Sequence, residues 1–300
     1  MPQRTPVPAT ADAPEPAAPD GTPGDDGDLG LFGPESVSWG VHREPILALA
    51  GLRALYLQSL HPRAMYGVAQ NSHYREDPYG RLNRTAIYIA TVVFGTTAQA
   101  NAAGRRLRGL HARMRATDVR TGEVYRLDEP DLLRWVHVTE TESFVTTARR
   151  AGLALTDAEV DTYHTEQRAA AALVGLDPES VPGTAAEVED YYREVRPLLA
   201  LTKEAAEAAM FLSAPPLPYK LGFTPVRLAW FGLAGVAVGL LPVWARRLYG
   251  LPGLPTTGPT AALSARTLRL ALRAIPERAI RGPIYSAAVA RAAAAGYVVD

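Results

Sequence analysis

The sequence contains no cysteine in its 300 residues. This absence excludes structural disulfides, zinc sites built from thiolates, iron–sulfur clusters held by Cys and a Cys nucleophile. Any metal bound by this chain must therefore depend on imidazole, carboxylate, phenol or thioether side chains. The six His residues are the strongest remaining ligands for a transition metal.

An excess of charge of one sign is also missing. The chain has 31 basic and 31 acidic residues and a formal net charge of zero, and Lys occurs only at Lys203 and Lys220. A domain that binds nucleic acid usually carries a basic patch that neutralises phosphates. We therefore expect no nucleic-acid partner.

Several catalytic signatures are absent as well. The sequence has no GxSxG elbow, no Walker A loop and no HExxH pair. It also lacks the paired Glu-x-x-His motifs of ferritin-like di-iron proteins. These absences argue against a serine hydrolase, a P-loop NTPase, a zinc protease and a non-haem di-iron enzyme.

The first 30 residues differ in composition from the rest of the chain. They are rich in Pro, Ala, Gly and Asp and almost free of large apolar side chains, which indicates a disordered tail. They show neither the basic start and apolar run of a secretory signal nor a twin-Arg pair. We therefore expect a cytoplasmic protein in which residues 31–300 form the folded domain.

Beyond the tail, apolar residues recur at three- and four-residue steps, which is typical of amphipathic helices. We predict an all-α fold, a single globular bundle of roughly ten helices with globin-like packing. Thr156 and Glu159 have the spacing of a capping box at the start of one helix. The pattern predicts helices over 45–60, 81–94, 97–117, 130–151 and 156–174, and a short hairpin or loop over 119–125.

One apolar run has nearly the length of a membrane span. Leu228 to Ala245 is a run of eighteen uncharged residues between Arg227 and Arg246. A spanning helix needs about 20 residues, and this run contains several glycines and Pro242. We expect a buried helix pair or a hairpin on a membrane surface, so weak association with a membrane surface stays open.

The helix predicted over 97–117 carries a stripe of three polar residues, Arg108, His111 and Arg115, at steps of three and four. The stripe suits haem, because iron accepts a neutral imidazole and the two propionates pair with Arg. A core histidine beside two solvated arginines explains the same spacing, and geometry alone favours that simpler interpretation. The apolar face beside the stripe is formed by Ala100, Ala103, Leu107, Leu110 and Met114.

A second polar group, Arg81, Arg84 and Thr85, shares one face of the preceding helix, and that face continues as mostly apolar residues. The three side chains either point into a cavity, where Arg84 could donate a hydrogen bond to an anion or a bound oxygen, or form a solvated helix start. The spacing does not decide between these two interpretations.

The remaining histidines give weaker signals. His137 shares a helix surface with Glu140, so it is either a metal ligand with an orienting carboxylate or a core histidine, and the second is favoured. We expect His42 and His164 at the surface of the protein.

Four segments, taken in order and spacing, resemble a known family. They are residues 57–96, 106–116, 128–144 and 240–251, within a similarity that covers about residues 31–253. The resemblance is to the family that groups the latex-clearing rubber oxygenases with the mycophenolic-acid-pathway oxygenase.

This resemblance implies an all-α fold, a b-type haem with its iron, and cleavage of carbon–carbon double bonds of isoprenoid chains by dioxygen. The Arg-x-x-His-x-x-x-Arg motif of the rubber oxygenases corresponds to Arg108, His111 and Arg115, so the resemblance implies that His111 binds the iron. Their Arg-x-x-Lys-Thr motif corresponds to Arg81, Arg84 and Thr85. His137 is a second candidate for the cofactor pocket.

Two departures from the family pattern limit what carries over. Arg84 stands where the rubber oxygenases have Lys, and Arg does not lose its proton to ligate iron, so we expect the sixth coordination position to be open or held by another group. Their upstream Glu base has no counterpart, because the residues around Met65 are apolar. The family's activity thus implies a haem b oxygenase that acts on a small apolar or isoprenoid substrate. The alternatives are a non-catalytic haem sensor or carrier and a metal-free helical protein that binds lipid or a membrane surface.

Overall fold

The computed structural model describes residues 27–72, 74–216, 225–276 and 280–299. Within these ranges the chain forms thirteen α-helices, two 3₁₀ turns and one hairpin of two short strands. The prediction of an all-α fold is confirmed, with more helices than the ten or so expected.

The helices are α1 (Val37–His42), α2 (Leu47–Ser59), α3 (Pro62–Asn71), α4 (Pro78–Phe94), α5 (Thr97–His111), α6 (Pro130–Arg150), α7 (Asp157–Val174), α8 (Ala185–Val195), α9 (Lys203–Ser213), α10 (Pro225–Leu240), α11 (Val243–Leu248), α12 (Thr257–Arg273) and α13 (Pro283–Ala294). The strands β1 (Arg115–Thr117) and β2 (Val124–Arg126) pair antiparallel, with Ala116 opposite Tyr125. The 3₁₀ turns span Pro178–Ser180 and Arg196–Leu198.

Helices α2 and α6 form the centre of the fold. They pack against each other, α10 lies against α2, and α12 lies against both α10 and α6. Leu57, Trp135 and Leu240, one from each of α2, α6 and α10, are buried to 1% exposure or less. Burying a side chain of this kind contributes about 1.5–3 kcal/mol, so this interface supplies much of the hydrophobic stabilisation.

The helices α4 and α5 form a hairpin that positions the candidate site. Only Gly95 and Thr96 separate them, and Thr96 forms a capping box with Gln99 that starts α5. The far side of α5 packs against α7. The expected capping box of Thr156 and Glu159 at the start of α7 is confirmed.

The apolar run from Leu228 to Ala245 is divided between two helices. α10 ends at Leu240 and α11 begins at Val243, with Pro242 at the helix boundary between them. Among the residues that the structure describes, no helix combines the length and apolarity needed to cross a membrane. Most of the tail predicted over residues 1–30 lies outside the described ranges, so its disorder stays a prediction.

Candidate functional site

The helix that carries the predicted stripe is shorter than the sequence pattern indicates. α5 ends at His111, and after a short turn Arg115 begins strand β1. Pairing with Val124–Arg126 takes Arg115 to Thr117 out of the helix, and the backbone N–H of Leu127 donates to the carbonyl of Met114. The prediction of one helix over 97–117 is therefore wrong, and the three polar residues do not share one helical stripe.

The buried face of α5 also differs from the predicted one. Ala100 and Gly104 are the buried residues of this helix, whereas Leu110 is 50% exposed. A Cβ atom at position 104 would lie 2.8 Å from the carbonyl oxygen of Leu173. Helix α5 therefore approaches α7 through a glycine rather than through interlocking leucines.

Arg108 lies one turn beyond Gly104 and is bonded to the end of α7. Its Nη1 donates a 2.5 Å hydrogen bond to the carbonyl oxygen of Leu173. Gly175 ends α7 in the left-handed conformation (φ +95°), and the aliphatic part of Arg108 lies beside it. A cation at a helix C-terminus is favourable, since the last carbonyls carry partial negative charge.

Arg115 is exposed and lies on strand β1, beyond the end of α5. Its Nη1 donates to the carbonyl oxygens of Ala112 at 2.8 Å and Met114 at 2.9 Å. These carbonyls belong to the turn that follows α5, so Arg115 closes that turn. The structure therefore keeps Arg108 and His111 on one helix and places Arg115 on a strand.

His111 has the properties of an available neutral ligand. It is half-buried, and its Nδ1 atom is enclosed without a hydrogen-bond partner among the described residues. Burial lowers the pKa of His111, and the charge of Asp128 opposes that shift only in part. The imidazole is therefore neutral near pH 7, the protonation state in which it binds a metal.

The second predicted group lies at the start of α4, on a face that is exposed rather than enclosed. Arg84 pairs with Asp77 at 3.1 Å, and the side chains are 67% and 53% exposed. The hydroxyl of Thr85 donates to the carbonyl of Arg81 at 3.1 Å. Arg81 is half-buried near the ring of Tyr74, and burial lowers its pKa. Only Arg81 approaches the interior, so these residues do not point together into a cavity in this structure.

His137 is enclosed in the interior of the bundle on α6. It is 9% exposed, and its Nε2 atom has no hydrogen-bond partner among the described residues. Burial, reinforced by the neighbouring His164, lowers the pKa of His137 to about 4. His137 is therefore a second neutral imidazole, on a different helix from His111.

The prediction that His42 and His164 lie at the surface is wrong. They are 8% and 3% exposed, and Nε2 of His42 lies 3.1 Å from the hydroxyl of Tyr163. The helical period gives the signal that was missed on α7, because position 164 follows the apolar and buried Val160 by four residues. The residue types obscured that pattern, since His and Tyr occur both inside and outside proteins.

The side chains of the candidate site fit a haem iron better than a metal ion held by several side chains. Within the described ranges, no three His, Asp or Glu side chains come close enough to hold a metal ion. A haem iron needs only one protein ligand, since the macrocycle supplies four nitrogens. A neutral His111 with an unpartnered ring nitrogen fits that single-ligand requirement, and Arg108 beside it is a cation that suits a propionate.

Comparison with known proteins gives one family. Residues 39–275 match the family model described as "ER-bound oxygenase mpaB/B'/Rubber oxygenase, catalytic domain". The matched segment runs from α1 to just beyond α12 and contains every residue that the sequence singled out. No curated protein and no solved structure gives a significant match.

Proposed function

The chain belongs to the mpaB and rubber oxygenase catalytic-domain family, and from that membership we propose that it is a haem b-dependent oxygenase. Its substrate would be a small apolar or isoprenoid molecule with a carbon–carbon double bond, which dioxygen oxygenates or cleaves. The observation that carries the proposal is His111 at the end of α5, a neutral imidazole whose enclosed Nδ1 atom has no hydrogen-bond partner in the part of the chain that the structure describes.

The haem, when bound, supplies an iron atom that binds dioxygen. The chain's own residues then have separate tasks. His111 would ligate the iron, and Arg108, whose Nη1 donates to the carbonyl oxygen of Leu173, would meet a propionate with its other guanidinium nitrogens. Arg81 is half-buried at the start of α4 and burial lowers its pKa, whereas Arg108 is exposed.

Arg84 and Thr85 need to exchange partners if they are to act on a bound oxygen molecule. Arg84 is paired with Asp77 at the surface, where an ion pair contributes at most about 1 kcal/mol. Thr85 donates to its own helix and can rotate. Both exchanges therefore cost little, and we propose that Arg84 and Thr85 border the dioxygen side of the pocket.

The test of haem binding is the absorption spectrum of the protein expressed with haem supply. We expect a Soret band in the wild type, its loss in His111→Gly, and its recovery when free imidazole is added to that variant. Free imidazole occupies the space of the deleted ring and ligates the iron, which a general loss of folding does not allow. The matched control is His61→Asn, since Asn keeps an acceptor for the first turn of α3.

A wild-type protein without a Soret band, or a band that is the same in His111→Gly without imidazole, contradicts the proposal. Product analysis with unsaturated terpenoids under oxygen distinguishes an oxygenase from a haem carrier, because only the oxygenase yields carbonyl products. The exposed Leu228 and Phe231, at 77% and 63%, favour lipid-surface binding as the alternative. That alternative is supported if the iron-free protein floats with liposomes.

A further inference from the structure

The exposed side of α5 carries positive charge that the described residues do not neutralise. Six exposed residues follow one another along one side of the helix and of the turn after it, namely Ala98, Ala102, Arg105, Arg106, Leu110 and Arg113. We call this surface the basic face. None of its three arginines forms a hydrogen bond or an ion pair with a described residue. The Nη2 atom of Arg113 lies 3.9 Å from the position that a Cβ atom of Gly109 would take, so its guanidinium lies back along α5.

The sequence around the basic face contains charge of one sign only. Residues 78–117 include all of α4 and α5 and contain no acidic residue, although the whole chain has equal numbers of acidic and basic residues. The same residues contain the seven arginines Arg81, Arg84, Arg105, Arg106, Arg108, Arg113 and Arg115. An exposed cluster of like charge attracts an anionic partner. The partner must come from outside this part of the chain.

The first 26 residues have the opposite charge. They contain one basic residue, Arg4, and the five acidic residues Asp12, Glu15, Asp20, Asp25 and Asp26. They also contain almost no large apolar side chains. Burial of apolar surface therefore contributes little to any contact that this segment makes, and its charge determines which surface it binds.

This acidic segment joins the described structure at the start of α5. Gly27 is the first described residue, and the carboxylate of Asp28 accepts hydrogen bonds from the backbone N–H and the hydroxyl of Thr97 at 2.7 and 2.8 Å. The Nε atom of Arg291 on α13 donates to the carbonyl oxygen of Asp28 at 3.3 Å. Residues 1–26 are therefore tethered at the first turn of the helix that carries the basic face.

The length of the segment suits the length of the helix. Arg105 follows Thr97 by eight residues, which is about 12 Å along the helix axis. Asp20 precedes Asp28 by eight residues, and a flexible chain of that length spans about 16 Å. The acidic side chain therefore reaches the first arginine of the basic face without stretching the chain.

The same comparison holds further along the helix. Glu15 precedes Asp28 by thirteen residues, which span about 20 Å as a flexible chain. Gly109, beside which the guanidinium of Arg113 lies, is about 18 Å from Thr97 along the helix axis. The spacing of the acidic residues thus matches the spacing of the exposed arginines.

We propose that residues 1–26 bind the basic face of α5, with Asp20 at Arg105 and Glu15 at Arg113. The occupant of this surface is therefore a segment of the same chain. Exposed ion pairs are individually weak, but the tether holds the segment at a millimolar effective concentration, so several pairs act together. Salt screens such pairs, so the contact should weaken as ionic strength rises.

The contact has a consequence for other ligands. An acidic protein or an anionic membrane reaches the basic face only by displacing residues 1–26. The inference does not depend on haem binding, although the basic face lies on the helix that carries His111.

The absence of cysteine allows a single spin label to report on this contact. A nitroxide on Ala13→Cys, between Asp12 and Glu15, should broaden the backbone amide signals of Gly109, Leu110 and Arg113 in the NMR spectrum at low ionic strength. The broadening should disappear at about 1 M NaCl, where the Debye length is about 3 Å. Loss with salt distinguishes ion pairing from mere proximity of a tethered chain.

Charge variants of the labelled protein identify the two partners. The broadening should be lost in the variant that combines D12N, E15Q, D20N, D25N and D26N, and in the variant that combines R105Q, R106Q and R113Q. The matched control combines R227Q, R247Q and R273Q, which removes the same charge from exposed positions on α10, α11 and α12. This control should keep the broadening of the wild type.

Two results overturn the proposal. The first is a labelled protein whose α5 signals are not broadened at low ionic strength, or are broadened equally when the five acidic residues are neutralised. The second comes from flotation with vesicles that contain an anionic lipid. We expect only the protein with the five neutralised residues to bind these vesicles, because its basic face is uncovered. Equal binding by the wild type shows that an anionic surface, and not residues 1–26, occupies the basic face.

Discussion

Gly104 determines how closely α5 approaches α7. Its missing side chain leaves room for the carbonyl oxygen of Leu173, and the same carbonyl accepts the hydrogen bond of Arg108 one turn further along the helix. The positions of Arg108 and His111 on this helix thus depend on Gly104, a residue without a side chain. Close approach of two helices commonly requires a small residue at the contact.

Replacing Gly104 by Ala should destabilise the protein by about 1–3 kcal/mol, since the new methyl group lies within 2.8 Å of a backbone oxygen that cannot move away cheaply. The matched control is Gly109→Ala on the same helix, where the nearest atom is the guanidinium of Arg113 at 3.9 Å. That control should be stabilised by up to about 1 kcal/mol, because Ala favours helix over Gly. Urea unfolding measures both changes, and a stabilised Gly104→Ala contradicts the packing argument.

Single residues also show the limits of the sequence pattern. His111 could be selected as a candidate ligand from its spacing to Arg108. Its position on the last turn of α5 is the same whether or not the helix continues beyond it. The role of Gly104 could not be predicted, since a glycine in a helix signals nothing until the neighbouring backbone is known. The buried state of His42 depends on Tyr163, a residue 121 positions away.

At the scale of secondary-structure elements, a buried ion pair joins the two central helices. Arg53 of α2 contacts both carboxylate oxygens of Glu142 on α6, at 2.6 and 2.9 Å, and the side chains are 2% and 13% exposed. The Nε atom of Arg53 donates to the carbonyl of Leu240 at the end of α10, and the hydroxyl of Tyr192 on α8 donates to Glu142. Four helices therefore meet at this pair.

Removing one partner should destabilise the protein strongly. We expect Arg53→Met or Glu142→Gln to lower the unfolding free energy by about 3–5 kcal/mol, because each leaves the other charge buried without its partner. The double variant should lose less than the sum of the two losses, by about 0.5–3 kcal/mol of coupling energy. Denaturant unfolding of the four proteins measures this cycle.

The control for this cycle is a surface pair. Arg193 and Asp190 lie 2.7 Å apart, but their side chains are 66% and 69% exposed. Asp190→Asn should change the unfolding free energy by no more than about 1 kcal/mol, since water already screens the pair. The argument is contradicted if the losses of unfolding free energy at Arg53 and Glu142 are additive. It is also contradicted if Asp190→Asn loses as much, because burial would then not explain the strength of the Arg53–Glu142 pair.

Element boundaries were predictable only where local signals decide them. Thr156 and Glu159 start α7 as expected, because a capping box involves residues three apart in sequence. α4 begins at Pro78 rather than near Arg81, since Asp77 caps it and Pro suits a first turn. The end of α5 depends on the pairing of strand β1 with Val124–Arg126. This contact with a distant part of the chain ends the helix at His111, although the helical pattern of the sequence continues for six more residues.

At the scale of the whole molecule, the net charge is zero, but buried titratable groups make the free energy of unfolding strongly dependent on pH. Burial lowers the pKa of His42 to about 3 and those of His61 and His137 to about 4. Burial also raises the pKa of Glu140 to about 7. In the folded protein the neutral forms of all four groups therefore coexist between about pH 4 and pH 7.

The direction of the pH effect follows from which state binds more protons. In the unfolded chain these histidines titrate near 6.5, so between pH 6.5 and about 4 the unfolded state holds more protons and stability falls as pH falls. Each histidine contributes a loss of up to about 3 kcal/mol, since one pKa unit corresponds to 1.36 kcal/mol. Glu140 opposes this trend. Between pH 7 and about 4.5 its carboxyl group binds a proton more tightly in the folded protein than in the unfolded chain, so its contribution to stability rises as pH falls.

The effect of three histidines exceeds that of one glutamate. The unfolding free energy should therefore fall steeply as pH is lowered from 6.5 to 4.5, and should change only slightly as pH is raised above 7. Urea unfolding at one-unit pH intervals measures this profile. Glu140→Gln should be more stable than wild type at pH 8, by up to about 3 kcal/mol, with the difference vanishing near pH 4.5 because both side chains are then neutral. His137→Gln should make the acid limb shallower than in wild type. A profile that is flat from pH 8 to 4.5 in all three proteins would mean that these four groups are hydrated in the folded state rather than enclosed by it.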